Sequence, residues 1–141
     1  MTSYRVADLM TRKVVYLSAQ TNLDEAARAM ADADIGDIVV TDGQNLYGMV
    51  TDRDIVVRAV AEHKDPAKTT LGSIATREIV MIEQSSTGAE AARLMRERAV
   101  RRVLVCDVDR QLVGIISLGD LAQQLDPSSA LSEISEASSN S

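Results

Sequence analysis

The apolar and polar positions of this chain form a pattern that occurs twice. Residues 14–17 and 79–82 are short apolar runs rich in β-branched side chains, suited to buried strands. Each is followed by a helix signal. Asn22 with Glu25, and Thr87 with Glu90, have the spacing at which an N-cap side chain and a carboxylate three residues on satisfy each other's backbone N–H groups. Behind them, Leu23, Ala26, Ala27, Met30 and Ala33 form one apolar stripe, and Ala91, Leu94, Met95 and Ala99 form another. Two strands then follow as a hairpin, 38–41 with 47–51 and 103–106 with 112–117, across turns that contain Asp42-Gly43-Gln44-Asn45 and Asp107-Val108-Asp109-Arg110. A second helix closes each pattern, over about 52–61 and 118–125. The predicted order is β-α-β-β-α, twice.

Residue identities recur along with the pattern. Thr11 matches Thr76, Arg12 matches Arg77, Glu25-Ala26-Ala27-Arg28 matches Glu90-Ala91-Ala92-Arg93, and Met30 matches Met95. After one extra residue in the second turn, Gly48 matches Gly114 and Asp54 matches Asp120. The chain is a tandem duplication. The expected fold is α+β, with repeat 1 over 4–63, a polar linker at 64–70, repeat 2 over 71–126 and an acidic, Ser-rich tail at 127–141. Each repeat is too small to bury both faces of its elements, so the two are expected to pack with pseudo-two-fold symmetry. The tail is expected to be disordered, with the alternative that Leu131 and Ile134 form one turn that docks on a neighbour.

Composition narrows the partners. The 141 residues include three Tyr and no Phe or Trp, so the core must be aliphatic and bases have almost nothing to stack on. A formal charge of -6 also argues against nucleic acid as a partner. The single cysteine, Cys106, lies in an apolar strand and is expected to be a buried, inert thiol. The start of the chain is charged, and no apolar stretch approaches the ~18 residues that span a bilayer. No membrane association and a cytoplasmic location are therefore expected.

The chemistry concentrates where each hairpin ends. Gly48-Met49-Val50-Thr51-Asp52-Arg53-Asp54 and Gly114-Ile115-Ile116-Ser117-Leu118-Gly119-Asp120 share a glycine, two apolar residues, a hydroxyl, two variable residues and an aspartate. A hydroxyl followed three residues later by an acid is a capping box, which alone explains one copy. A helix start after a strand also presents N–H groups and positive dipole to an anion, and its aspartate can accept from the two hydroxyls of a ribose. Asp52 and Asp54 could touch a cation, yet carboxylates at a helix start are more often dipole partners.

These features, with Asp34-Ile35-Gly36-Asp37-Ile38 and Ala99-Val100-Arg101-Arg102-Val103, resemble a tandem pair of CBS domains, a Bateman module, over residues 4 to 126. The resemblance implies a homodimer of flat, helix-lined discs. It also implies a cleft between repeats that binds AMP, ADP, ATP or S-adenosylmethionine, and a conformational signal to an effector protein. It further implies that Asp54 and Asp120 meet ribose, that Thr51 and Ser117 lie near phosphate, and that Lys13, Val14, Glu78 and Ile79 hold adenine. Arg101 and Arg102 occupy the place of phosphate-binding bases, and read equally well as a solvated or dimer-facing pair.

The repeats are not equivalent. Gly36 and Asp37 stand where repeat 2 has Arg101 and Arg102, and an acid there repels phosphate, although Arg53 offers partial compensation. Residues 1–63 hold six basic and ten acidic side chains, residues 64–125 nine and eight, and residues 126–141 none and three. The second site is therefore expected to be the better nucleotide site. One histidine and one cysteine assemble neither a metal cluster nor a nucleophilic pair within a chain, and no acid–base constellation is visible, so no enzyme activity is expected. Two functions follow: a stand-alone regulatory module that binds an adenosine-containing nucleotide, or a non-catalytic interaction protein with the same fold and no nucleotide.

Overall fold

The computed structural model describes residues 4–125. The tail expected at 127–141 lies outside them. The described residues form two compact units, one of residues 15–79 and one of residues 4–14 together with 80–125. Each unit holds a three-stranded sheet with helices, so the chain is α+β and built from two repeats.

In the 15–79 unit, β1 (Tyr16–Ser18) leads through helix α2 (Leu23–Ala33) to β2 (Asp37–Asp42), and a hairpin adds β3 (Asn45–Thr51). β1 and β2 are parallel, as a helical crossover requires, whereas β2 and β3 are antiparallel. The 80–125 part repeats this with β4 (Met81–Glu83), α5 (Gly88–Arg98), β5 (Arg102–Cys106) and β6 (Leu112–Ser117). The register shifts at the same place in both hairpins, between Val40 and Thr41 and between Val105 and Cys106.

Two one-turn helices, α1 (Val6–Leu9) and α4 (Leu71–Ile74), were not expected from the periodicity. They show how the units are assembled. Leu71 and Ile74 are buried with Leu23, Ala26, Met30, Ile38, Val40 and Val50 in the core of the 15–79 unit. Val6 is buried with Val80, Ala91, Met95, Val103, Ile116 and Leu121 in the other core. The segment that precedes each repeat's first strand thus completes the other repeat's core, and these cores contain no aromatic residue among their buried members.

Backbone pairing fixes the same exchange. Thr76 and Met49 exchange N–H···O bonds of 2.9 and 3.0 Å, and Thr11 and Ile115 exchange bonds of 2.8 and 2.9 Å. Glycine makes this approach sterically feasible. A Cβ on Gly48 would lie 2.3 Å from the Thr76 carbonyl oxygen, and one on Gly114 would lie 2.8 Å from the Thr11 carbonyl oxygen. The recurring motif glycine is therefore a packing requirement.

Three local expectations are corrected. The first strands begin two residues late, because ladder pairing starts only at Tyr16 and Met81. Asn22 does not cap α2: its side-chain amide donates to the Ala67 carbonyl at 2.8 Å instead, whereas Thr87 and Glu90 form the expected box. The helix expected over 52–61 is α3 (Asp52–Ile55) followed by a π-turn, Val56–Val60, while its counterpart α6 (Leu118–Leu125) is regular α-helix. Cys106 is a buried free thiol in β5. No helix among the described residues is long and apolar enough to cross a membrane.

Candidate functional site

The two strand-to-helix junctions share one backbone device. At the end of β3, Thr51 is extended and its Oγ1 accepts from the Asp54 N–H at 3.1 Å, while Asp54 Oδ2 accepts from the Thr51 N–H at 2.9 Å. At the end of β6, Ser117 Oγ accepts from the Asp120 N–H at 3.1 Å, and Asp120 Oδ2 accepts from the Ser117 N–H at 2.8 Å. The first helical N–H is held from the neighbouring strand in both: Asp52 donates to the Gly36 carbonyl at 2.9 Å, and Leu118 to the Arg101 carbonyl at 2.8 Å. Two of the donors that a helix start leaves open are thereby satisfied in each unit.

What remains differs. In the first junction Asp52 Oδ1 accepts the Arg53 N–H at 2.8 Å, so the second helical donor is taken as well. Asp54 Oδ1 lies 3.8 Å from Arg58 Nε, an i,i+4 ion pair, and Arg58 Nη1 also donates to the Ile74 carbonyl at 2.9 Å. Both oxygens of Asp54 are engaged. In the second junction Leu118 carries no carboxylate, Gly119 replaces Arg53, and Gln124 replaces Arg58. Among the described residues the Gly119 N–H and Asp120 Oδ1 have no partner.

The strand register adds charge of opposite sign. Asp37 lies directly across from Thr51, and Arg102 directly across from Ser117. Directly paired residues share a face of the sheet. The first hydroxyl thus has an acid beside it and the second a base. Gly36 has its own reason: a Cβ there would lie 3.0 Å from Asp52 Oδ2, so the carboxylate of Asp52 occupies the space above it. Arg101, at the matching place, is exposed and has Leu118 rather than an acid at the helix start.

Of the residues expected at the sites, Thr51 and Asp54 meet in one unit, which also holds Glu78 and Ile79. Ser117, Asp120, Arg101 and Arg102 meet in the other, which also holds Lys13 and Val14. Lys13 and Glu78 are exposed, Val14 and Ile79 half-buried, all in the segment just before the first strand of their repeat. Asp52, expected as a dipole partner at the helix start, accepts the Arg53 N–H there, whereas Arg58 was missed as a determinant of the first junction. The signal for Arg58 was present, since Asp54 and Arg58 stand four apart on a helix. No group of three or more His, Cys, Asp or Glu residues stands together as a metal site among the described residues.

Comparison with known proteins matches this architecture. The family model described as CBS domain matches residues 6–60 and again 71–126. Uncharacterized protein YlbB of Bacillus subtilis is 38% identical over 138 residues, covering 94% of this chain and 92% of its own length. Hypoxic response protein 1 of Mycobacterium tuberculosis is 35% identical over 119 residues, covering 84% and 82%. The crystal structure of Hypoxic Response Protein I with two coordinated zinc ions has a TM-score of 0.68 at 34% identity, covering 88% of this chain and 99% of that one. A hexameric CBS-CP12 protein from bloom-forming cyanobacteria has a TM-score of 0.80 at 26% identity, covering 89% and 74%. The doubled hairpin, the paired capping junctions and two separate family matches lead to one statement: this chain belongs to the CBS-domain family and carries two CBS domains in tandem.

Proposed function

We propose that this CBS pair is a non-catalytic regulatory module that binds an adenosine-containing nucleotide, such as AMP, ADP, ATP or S-adenosylmethionine, and passes its occupancy to an effector protein. The carrying observation is the open valence of the second junction. Asp120 Oδ1 and the Gly119 N–H have no partner among the described residues, Arg102 pairs with Ser117 across the sheet, and the Arg101 carbonyl accepts from the Leu118 N–H. An anionic acceptor suits the two hydroxyls of a ribose, and an N–H at a helix start with flanking arginines suits phosphate. Lys13 and Val14, in the same unit, are the candidates for the adenine edge. The first junction, with Thr51, Asp54, Glu78 and Ile79, is the weaker site because its carboxylates are already engaged.

The module works as a homodimer in the cytoplasm in this reading. A hexameric relative supports self-association, and a lone buried thiol suits a reducing compartment. A second reading, an interaction protein with no nucleotide, is favoured by one feature: Val56, Val57 and Val60 are exposed together on the π-turn.

Thermal denaturation with AMP, ADP, ATP and S-adenosylmethionine separates the two. A ligand at 100 times its Kd adds ~2.7 kcal/mol, which at this size raises the midpoint by roughly 5–10 °C. A shift with at least one member supports nucleotide binding. A flat panel supports the interaction protein.

A further inference from the structure

Helix α2, the π-turn and the segment after it enclose an apolar groove of about 460 Å3, floored by Ala27, Ala31, Ile55, Ala59 and Val60. Arg28, Lys64 and Asp24 stand on its rim, and neither cation has an ion-pair partner among the described residues. Val60 joins the groove to the exposed patch with Val56 and Val57, the three being 61%, 57% and 47% exposed. In repeat 2 the residue matching Ala31 is Arg96.

The chain carries a segment of complementary chemistry. Ala130, Leu131, Ile134 and Ala137 recur at helical spacing, with Glu133 and Glu136 among them and no basic residue from 126 to 141.

We propose that this C-terminal segment docks in the groove of a second copy, with Leu131 and Ile134 on the Ala27, Ala31 and Ile55 floor and Glu133 and Glu136 facing Arg28 and Lys64. Small residues on the helix face admit close approach, and the carboxylates supply the counter-charge that the two rim cations lack. The valine patch indicates a second copy as the source. Association that covers Val56 and Val57 brings in a tethered tail, at about millimolar effective concentration. The inference rests on self-association and is independent of nucleotide.

Hydrogen exchange on the full chain tests it with two variants, Leu131→Ser/Ile134→Ser in the tail and Ala27→Glu in the groove. Ala27 is exposed, so the latter leaves the core intact, and Ala31→Glu, also at an exposed position, serves as an alternative block. In the wild-type protein at high concentration, tail amides should exchange about tenfold or more slowly than in an unfolded peptide. Each variant should lose that protection while the β2 amides keep theirs. Mixing the two variants should restore it, only in the tail of the Ala27→Glu chains, because only they have an intact tail and only their partners an open groove. Unprotected wild-type tails, protection that survives Ala27→Glu and Ala31→Glu, or mixing without restoration would each overturn the proposal.

Discussion

Two junctions in this chain were built from one pattern, and their hydrogen bonds differ in what they leave over. Both use a hydroxyl and an aspartate three residues apart to cap a helix that starts where a strand ends. The first then closes on itself, since Asp52 takes the next N–H, Arg58 takes the free oxygen of Asp54, and Asp37 lies across from the hydroxyl. The second has Leu118 in place of Asp52 and Arg102 in place of Asp37. Duplication preserved the cap, which stability requires in both places, while the surrounding charges diverged. A capping box is therefore a poor guide to ligand binding by itself, and its unfilled valences are the informative part.

The tightest difference between the units is steric. A Cβ on Gly48 meets only backbone, the Thr76 carbonyl oxygen at 2.3 Å, whereas one on Gly114 meets the Met10 Sδ and the Thr11 carbonyl oxygen, both at 2.8 Å. Gly48→Ala should destabilise by about 3 kcal/mol and Gly114→Ala by about 1–2 kcal/mol in denaturant unfolding. Equal costs would mean that the segment exchange is no tighter in the first unit.

Next come the helix caps. Thr87→Ala should cost about 1 kcal/mol, because it removes a working cap, whereas Asn22→Ala should cost about 0.5 kcal/mol, the worth of one exposed hydrogen bond to Ala67. The Thr87 backbone N–H, then its hydroxyl, hold the Glu90 carboxyl below its ordinary value. A lowered folded-state pKa means that this contribution is present above the ordinary glutamate pKa and is lost as pH falls through the lowered value. Nuclear magnetic resonance titration of Thr87→Val should find Glu90 moved upward, toward the unperturbed value.

The smallest effect is expected at Arg58. Its side chain is 48% exposed, so Arg58→Ala should change stability by only about 0.3 kcal/mol. The sharper readout is binding: freeing Asp54 should raise the affinity of the first junction for nucleotide. No change there would show that the ion pair does not limit that site.

Much of this molecule is legible in the chain. The stripes of α2 and α5, the hairpins and the repeated glycine-to-aspartate motif all announce a duplicated α+β unit, because their periods extend over enough residues to be seen. Helices α1 and α4 are one turn each and show no period. Their exchange between repeats is a non-local fact, carried by Val6, Leu71 and Ile74, which read locally as ordinary apolar residues. Asn22 and Thr87 have the same cap spacing, and only the nearby Ala67 carbonyl diverts the first. At the site, the acid-for-base exchange of Asp37 and Arg102 was visible from alignment alone, and the structure adds that each faces its hydroxyl across the sheet. Asp52 as a partner for the Arg53 N–H depends on side-chain direction, which no spacing specifies.

The two junctions are unequal in what they leave unpaired, and titration calorimetry with ATP reads that difference in affinity. Asp120→Ala removes an acceptor for two ribose hydroxyls and should weaken binding by about a hundredfold, at roughly 1.4 kcal/mol per tenfold. Asp54→Ala, at an already occupied carboxylate, should change affinity by no more than about threefold. The reverse order, with Asp54→Ala abolishing ATP binding and Asp120→Ala leaving it intact, would contradict the account.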